Sequence, residues 1–128
     1  MPQQRINPSG INKPGGYHHV VKDGNTIYVA GQVSRDKDGN TVGVGDGAAQ
    51  AEQIFSNIKV ALESVGSDMS HINKLNVFLI HREDMPAYRA ARGKYIPDDA
   101  LPASTLIICS GLADPDFRME VEVIASAS

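Results

Sequence analysis

Apolar residues recur at steps of three and four between positions 48 and 65, and polar residues fill most of the positions between them. This is the period of an amphipathic α-helix that buries one face. Asp46 stands where an N-cap is expected, because its short side chain can accept a hydrogen bond from a free N–H group of the first turn. Gly66 follows the last apolar residue, as glycine often does at a helix C-terminus. The pattern therefore predicts one amphipathic helix in the middle of the chain.

Shorter stretches rich in apolar and β-branched residues predict strands. They span residues 17–22, 26–33, 72–81, 104–108 and 117–124. The Asp-Gly-Asn sequence between the first two indicates a hairpin, and the third is apolar enough to be a central strand. Gly111, Asp114 and Pro115 separate the last two stretches, which we therefore expect to form an antiparallel pair.

A second helix is predicted from about Glu83 to Tyr95, with Pro86 tolerated in its first turn. Residues 1–16 are rich in proline and glycine and should form an arm rather than a helix or a central strand. The order of elements predicts a single α+β domain whose mixed β-sheet carries both helices on one face. The other face must meet solvent or another copy of the protein, and the apolar strands favour another copy.

Composition narrows the class of protein. The chain has 128 residues and a net charge of -3, and its basic residues are scattered, so we expect one domain and no nucleic-acid partner. No stretch approaches the ~18 apolar residues of a membrane span, and the N-terminus lacks the apolar segment of a signal peptide, which predicts a cytoplasmic protein. Cys109 is the single cysteine, and no metal-ligand spacing links the four histidines, so neither a disulfide, a metal nor a cofactor is expected.

The last predicted strand places two carboxylates on one face. Side chains alternate across a strand, so Glu120, Glu122 and Ile124 share a face and the residues between them share the other. Two interpretations remain open. The face is either a solvated one with a single scattered isoleucine, or a cleft or subunit seam that holds one glutamate for chemistry.

Gly31 interrupts the second predicted strand. A glycine inside a strand usually marks a β-bulge or a point where another backbone or a ligand approaches closely. The sequence pattern favours these two explanations equally.

Four motifs occur in order along nearly the whole chain. They are YVAGQV at residues 28–33, AQAEQIFSNI at 49–58, LPA at 101–103 and MEVEVIA at 119–125. Together they resemble the YjgF/Rid family, also called the L-PSP or reactive-intermediate-deaminase family. The resemblance implies a chorismate mutase-like α+β domain assembled as a homotrimer, with ligand clefts between subunits. Members of its best characterised branch hydrolyse enamines and imines, such as 2-aminoacrylate, to 2-keto acids and ammonia.

The resemblance also implies roles for particular residues. In the deaminase branch an arginine pairs with the substrate carboxylate, a tyrosine and backbone groups orient the substrate, and a glutamate positions the attacking water. By position, Tyr17 matches the tyrosine, Gly31 the strand glycine and Glu120 the glutamate. Glu120 is therefore the candidate catalytic residue, and Tyr17 and Gly31 are candidate substrate-binding residues.

Ser104 stands where the deaminase branch has its arginine, so this chain resembles a branch that lacks it. Serine donates one hydrogen bond but brings no charge to a substrate carboxylate. Arg89 in the second helix, with Arg92 one turn later, is a candidate replacement, and the alternative is an exposed surface arginine. His18 and His19 point to opposite faces of a regular strand, so only one could enter a cleft, and each fits a structural or solvated histidine better than a proton carrier.

Three functions follow from these observations. The first is a homotrimer that binds a small polar metabolite between subunits and hydrolyses an imine or enamine with a water held by Glu120. The second is a non-catalytic small-molecule-binding or sensing trimer, which Ser104 favours. The third is an endoribonuclease or translation inhibitor of the L-PSP type, against which the acidic charge balance argues. The position of Arg89, inside or outside the cleft, should separate the first two.

Overall fold

A computed structural model describes residues 3–128, so Met1 and Pro2 of the predicted arm lie outside the described residues. Within this range the strands are β1 Gln4–Ile6, β2 Val20–Asp23, β3 Thr26–Gln32, β4 Ile72–Leu79, β5 Ala103–Ile108 and β6 Met119–Ser126. The α-helices are α1 Gly47–Glu63 and α2 Met85–Tyr95, and single 3₁₀ turns occur at Met69–His71, Arg82–Asp84 and Asp98–Ala100. No helix in the described part of the chain is long and apolar enough to cross a membrane.

The predicted central helix is confirmed as α1. Its N-cap is Asp46, whose carboxylate accepts a hydrogen bond from the N–H group of Ala49 at 3.1 Å. Its apolar stripe is buried, with Ile54 and Ile58 fully inaccessible to solvent. Gly66, just beyond the last turn, has a φ of 78°, a conformation that glycine adopts without the steric cost of a side chain.

Both helices pack on one face of a mixed six-stranded sheet. α1 contacts α2, β3 and β6. The ring of Phe55 on α1 lies 5.9 Å from the ring of Tyr88 and 5.9 Å from that of Tyr95, both on α2. The sheet and the two helices thus form the two layers of the α+β domain that the sequence predicts.

The strand order differs from the prediction at the C-terminal end. The sheet runs β1-β2-β3-β6-β4-β5, so β5 and β6 are not neighbours and the predicted antiparallel pair is wrong. β5 is parallel to β4, joined through α2, whereas β6 lies between β3 and β4 and is antiparallel to both. The difference follows from burial, because β6 has a fully apolar helix-facing side that a central position covers, while β5 is mostly exposed and occupies an edge.

The N-terminal arm contributes an edge strand that the sequence pattern did not predict. β1 pairs antiparallel with β2 along Gln4–Ile6, a stretch without proline. A strand at the edge of a sheet tolerates nearby prolines, because the backbone N–H groups on its outer side need no partner strand. Ile11, farther along the arm, is buried in the core and holds the arm against the domain.

The outer face of the sheet, opposite the helices, carries the mixed side chains of β6. Glu120, Glu122 and Ile124 alternate with buried residues, as the sequence predicts, and each is partly buried. The amide of Asn76 donates a hydrogen bond to Glu122 at 3.0 Å. Tyr28 lies beside Ile124 on this face and remains 47% exposed. This face therefore presents apolar rings and carboxylates side by side.

Candidate functional site

A pocket of about 360 Å³ lies where the ends of β3 and β6 meet the loop before β6. Its lining consists of Tyr17, Ala30, Gly31, Val33, Arg35, Ala113, Asp114, Phe117 and Glu120. Three of these residues, Tyr17, Gly31 and Glu120, are ones that the sequence singles out. The fold brings them together within a single chain.

Gly31 makes room for the Glu120 side chain. Val29 of β3 pairs with Val123 and Gln32 pairs with Val121, so β3 contains one more residue than β6 between these pairs, which defines a β-bulge. A Cβ atom at Gly31 would lie 2.8 Å from the Cδ atom of Glu120, closer than such atoms approach in real structures. The bulge is therefore confirmed, and the group that approaches the glycine is the side chain of Glu120 rather than another backbone or a ligand.

The Glu120 carboxyl is the group in this pocket best suited to exchange a proton. Burial raises the pKa of Glu120, and the negative charge of Glu122 raises it further. Phe78 is its partner on β4 and adds an apolar neighbour. A carboxyl with a raised pKa is closer to half-protonated near neutral pH than an exposed one, which suits general acid–base chemistry.

The raised pKa predicts a pH-dependent effect of Glu120→Gln on stability. The pKa of Glu120 is higher in the folded state than in the unfolded state. The contribution of Glu120 to folding stability is therefore fully present below the unfolded pKa. It is lost as pH rises through the folded pKa, because the buried carboxyl must then ionise. Glutamine carries no charge to desolvate. We expect the variant to be more stable than wild type at pH 7, with the difference vanishing or reversing below about pH 4. Urea unfolding between about pH 3 and pH 8 measures this, and a variant less stable than wild type at pH 7 would contradict it.

Tyr17 stands at the rim of the pocket on a rigid support. Its ring is half exposed and meets the ring of His19 edge-on, with centroids 5.7 Å apart. The buried His19 donates from Nε2 to the carbonyl of Asn12 at 2.7 Å and accepts at Nδ1 from the Gln32 amide at 3.0 Å. These contacts make His19 a structural residue beneath Tyr17, whereas His18 is exposed and lines a different pocket.

Arg35 also lines the pocket, and the sequence analysis did not single it out. Its Cζ atom lies 5.0 Å from the centroid of the Phe117 ring, and its Nη2 atom lies 3.7 Å from an oxygen of Asp114. Its Nε atom is buried and has no hydrogen-bond partner within residues 3–128. The sequence signal that could have indicated it is its place just past the end of β3, since loops at strand ends often carry functional residues.

The loop before β6, residues 109–118, is anchored by buried polar contacts. The amide of Gln50 donates to the carbonyl of Asp116 at 2.9 Å, and its oxygen accepts from the N–H group of Arg118 at 2.8 Å. The guanidinium of Arg118 pairs bidentately with Asp84, at 2.8 Å and 3.2 Å. Satisfied buried networks of this kind restrict local motion, so the wall of the pocket that this loop forms is held in place.

The other two predicted site residues lie away from this pocket. Arg89 is exposed on α2 and does not line it. Ser104 lies in the edge strand β5, on the side of the sheet that faces the helices. Its neighbour is Tyr88, which also lies beside Arg92. The Tyr88 hydroxyl and the Arg92 Nε atom are both buried and have no hydrogen-bond partner within the described residues. Within one chain, neither Arg89 nor Ser104 joins Glu120.

Two pockets are larger: one of about 540 Å³ adjoins the candidate pocket and shares Asp114 and Phe117 with it, and one of about 580 Å³ lies apart from it. We take the smaller pocket as the candidate site because it combines the half-buried Glu120 carboxyl with the Arg35 guanidinium, a pair that can serve proton transfer and anion binding. Among residues 3–128, no group of three or more His, Cys, Asp or Glu side chains is arranged to hold a metal ion.

Comparisons with known protein families and with individual proteins give matches that agree with one another. The family described as Endoribonuclease L-PSP matches residues 9–127. The chain is 31% identical over 126 residues to the 3-aminoacrylate deaminase RutC of Acinetobacter baylyi, covering 98% of each protein. It is 30% identical over 112 residues to a 2-iminobutanoate/2-iminopropanoate deaminase of Dermatophagoides farinae, covering 86% of this chain and 84% of that protein.

The fold agrees with these matches. The crystal structure of RidA from an Antarctic Psychrobacter species matches with a TM-score of 0.89 and 28% identity, covering 96% of this chain and 98% of that one. The resemblance that the four sequence motifs indicate is therefore confirmed over almost the full length. This chain belongs to the L-PSP family, also known as the YjgF/Rid family.

Proposed function

We propose that this chain forms a homotrimer that binds a small polar metabolite in the pocket of Tyr17, Gly31 and Glu120 and hydrolyses an imine or enamine to a carbonyl compound and ammonia. The observation that carries the proposal is the Glu120 carboxyl, which occupies the space left by Gly31 and has a raised pKa. The names of two relatives support the reaction type, because 3-aminoacrylate and 2-iminobutanoate are both short carboxylates with an enamine or imine nitrogen.

The reaction consumes one water and releases one ammonia. An imine protonated on nitrogen by solvent, or an enamine protonated by solvent on the carbon next to its C–N carbon, becomes an electrophilic iminium ion. Water adds to the C–N carbon to form a carbinolamine, whose carbon–nitrogen bond then breaks while the hydroxyl proton returns to solvent and the carbonyl forms. Ionised Glu120 takes a proton from the attacking water, and protonated Glu120 returns it to the departing nitrogen. A pKa above the usual carboxyl range suits both steps, because both protonation states are then accessible nearer neutral pH. The Tyr17 hydroxyl at the rim orients the substrate by hydrogen bonding.

Assembly as a trimer is supported by the outer face of the sheet. Tyr28 and Ile107 on this face are 47% and 48% exposed, and burial of apolar area against other copies is favourable. Sedimentation velocity should therefore give a species with three times the 13.7 kDa mass of the chain. A monomer at micromolar concentration would contradict the trimer.

A second candidate is a non-catalytic trimer that binds or senses a small molecule. Two features support it. Ser104 stands where the family resemblance places the arginine of the deaminase branch, and it lies on the other side of the sheet from Glu120. Arg89 is exposed and outside the pocket. The family description also names an endoribonuclease. The carboxylates of Asp114 and Glu120 in the pocket, together with the net charge of -3, oppose the binding of RNA phosphates.

The test is ammonia release from three freshly generated compounds: 2-iminopropanoate, 2-iminobutanoate and 3-aminoacrylate. Each is followed with and without the wild-type protein, and 2-keto acid binding is measured by calorimetry in parallel. Accelerated release from any of the three supports the deaminase. Binding without acceleration supports the second candidate, and cleavage of a mixed RNA substrate in place of both would support the endoribonuclease.

A further inference from the structure

The guanidinium of Arg35 makes fewer contacts within its own chain than its geometry allows. Its Nη2 atom approaches one oxygen of Asp114 at 3.7 Å, and its buried Nε atom has no partner among the described residues. Arg118 shows the contrast, because its Nε and Nη2 atoms both reach Asp84. A guanidinium pairs best with a carboxylate through two parallel N–H···O bonds, and Arg35 retains that capacity.

The position of the guanidinium is fixed before any ligand arrives. It lies over the ring of Phe117, which is only 4% exposed. Stacking on an aromatic face holds an arginine in one plane and is favourable when the ring is desolvated. The Arg35 side chain is 36% exposed, so part of the guanidinium remains open to a ligand in the pocket.

Three charged side chains line this pocket: Arg35, Asp114 and Glu120. The Asp114 contact is a single long one between partly exposed groups, and such pairs contribute little to stability. A substrate carboxylate can therefore displace Asp114 at small cost. Glu120, the remaining carboxyl, lines the same pocket, in which the reacting carbon of a bound substrate would also lie.

We propose that Arg35 binds the carboxylate of the substrate, taking the part of the arginine that Ser104 replaces, and that Asp114 occupies the guanidinium while the pocket is empty. The proposal rests on the proposed function and assigns to Arg35 the recognition of the substrate carboxylate. It also assigns Asp114 the part of an internal competitor for the anion site.

Binding of a product analogue tests the proposal without requiring catalysis. Calorimetry compares 2-oxobutanoate with its neutral counterpart 2-oxobutanamide. Arg35→Gln should weaken 2-oxobutanoate binding about tenfold to a hundredfold and leave 2-oxobutanamide binding unchanged, because only the anion uses the charge. Arg35→Lys, which keeps the charge but not the planar fork, should fall between wild type and Arg35→Gln.

Asp114→Asn should have the opposite effect to Arg35→Gln. Asparagine keeps the side-chain oxygen that accepts from the N–H group of Asp116 at 2.8 Å, so the turn is preserved while the competing charge is removed. Affinity for 2-oxobutanoate should then rise several-fold. A loss of affinity would show that Asp114 holds Arg35 in place, and would overturn its assignment as a competitor.

Two exposed arginines provide the controls. Arg82→Gln, outside the pocket, should leave both affinities unchanged, and Arg89→Gln tests the other candidate arginine. The inference would be overturned if wild type and Arg35→Gln bound 2-oxobutanoate equally well, or if Arg89→Gln lost affinity instead. It would also be overturned if wild type showed no binding at millimolar concentration. Binding through Arg35 without ammonia release would sink the proposed function and leave the Arg35 assignment standing.

Discussion

Replacing Glu120 with glutamine is expected to lower kcat/KM for imine hydrolysis by about 10²- to 10⁴-fold, the usual contribution of a general acid–base group. Glutamine matches glutamate in size and can accept a hydrogen bond, but it cannot take a proton from water or return one to the departing nitrogen. Burial raises the pKa of Glu120, so the uncharged variant should be at least as stable as wild type at pH 7. The loss of activity would then be chemical, and steady-state ammonia release measures it.

Glu122→Gln is the matched control for Glu120→Gln. Glu122 lies on the same face of β6, and a glutamine oxygen at that position can still accept the hydrogen bond from the Asn76 amide. Its charge raises the pKa of Glu120, so its removal lowers that pKa and keeps the Glu120 base ionised at lower pH. We expect Glu122→Gln to keep most of the activity and to shift the acidic limb of the pH profile to lower pH. Equal losses in the two variants would contradict the assignment of Glu120.

Replacing Gly31 with alanine is expected to lower kcat/KM about 100-fold while the protein still folds. The new methyl group would lie 2.8 Å from the Cδ atom of Glu120, so the carboxylate has to move. Displacement of a catalytic group by about 1 Å can cost 10²-fold in rate. The displaced group is the end of a flexible side chain, so the loss of unfolding free energy should not exceed the ~1–3 kcal/mol typical of overpacking. Ammonia release and urea unfolding of the same sample separate the two effects.

Gly93→Ala is the control for a glycine substitution in general. Gly93 lies in α2, and a Cβ atom there would meet no atom within 4 Å. Alanine favours a helix over glycine by up to about 1 kcal/mol, so this variant should be fully active and no less stable than wild type. If Gly31→Ala were as active as Gly93→Ala, the position of the Glu120 carboxylate would not matter for the reaction.

Local patterns in the sequence predicted most of the elements but not how the last two strands are arranged. The period of α1 and its Asp46 cap are properties of neighbouring residues, so they can be read from a short window. The insertion of β6 between β3 and β4 depends on pairing across the whole chain, which turn residues in the 109–118 loop do not specify. The burial of one face of β6 was visible in its apolar alternation, and it favours a central strand.

The candidate site shows the same division. The family resemblance indicated Tyr17, Gly31 and Glu120, and the fold brings them into one pocket. Arg35 was missed because its significance depends on contacts with Asp114 and Phe117, which are distant in sequence. Arg89 was a candidate on its helix position alone, with an exposed surface arginine as the alternative, and the described structure leaves it exposed and outside that pocket.

Catalysis at Glu120 is tested by the initial rate of ammonia release from freshly generated 2-aminoacrylate, with wild-type protein, with Glu120→Gln and with buffer alone. Wild type should accelerate release in proportion to protein concentration, and Glu120→Gln should approach the buffer rate. A wild-type rate no faster than buffer, for a protein that is folded and trimeric, would contradict the assignment of this pocket as a deaminase site.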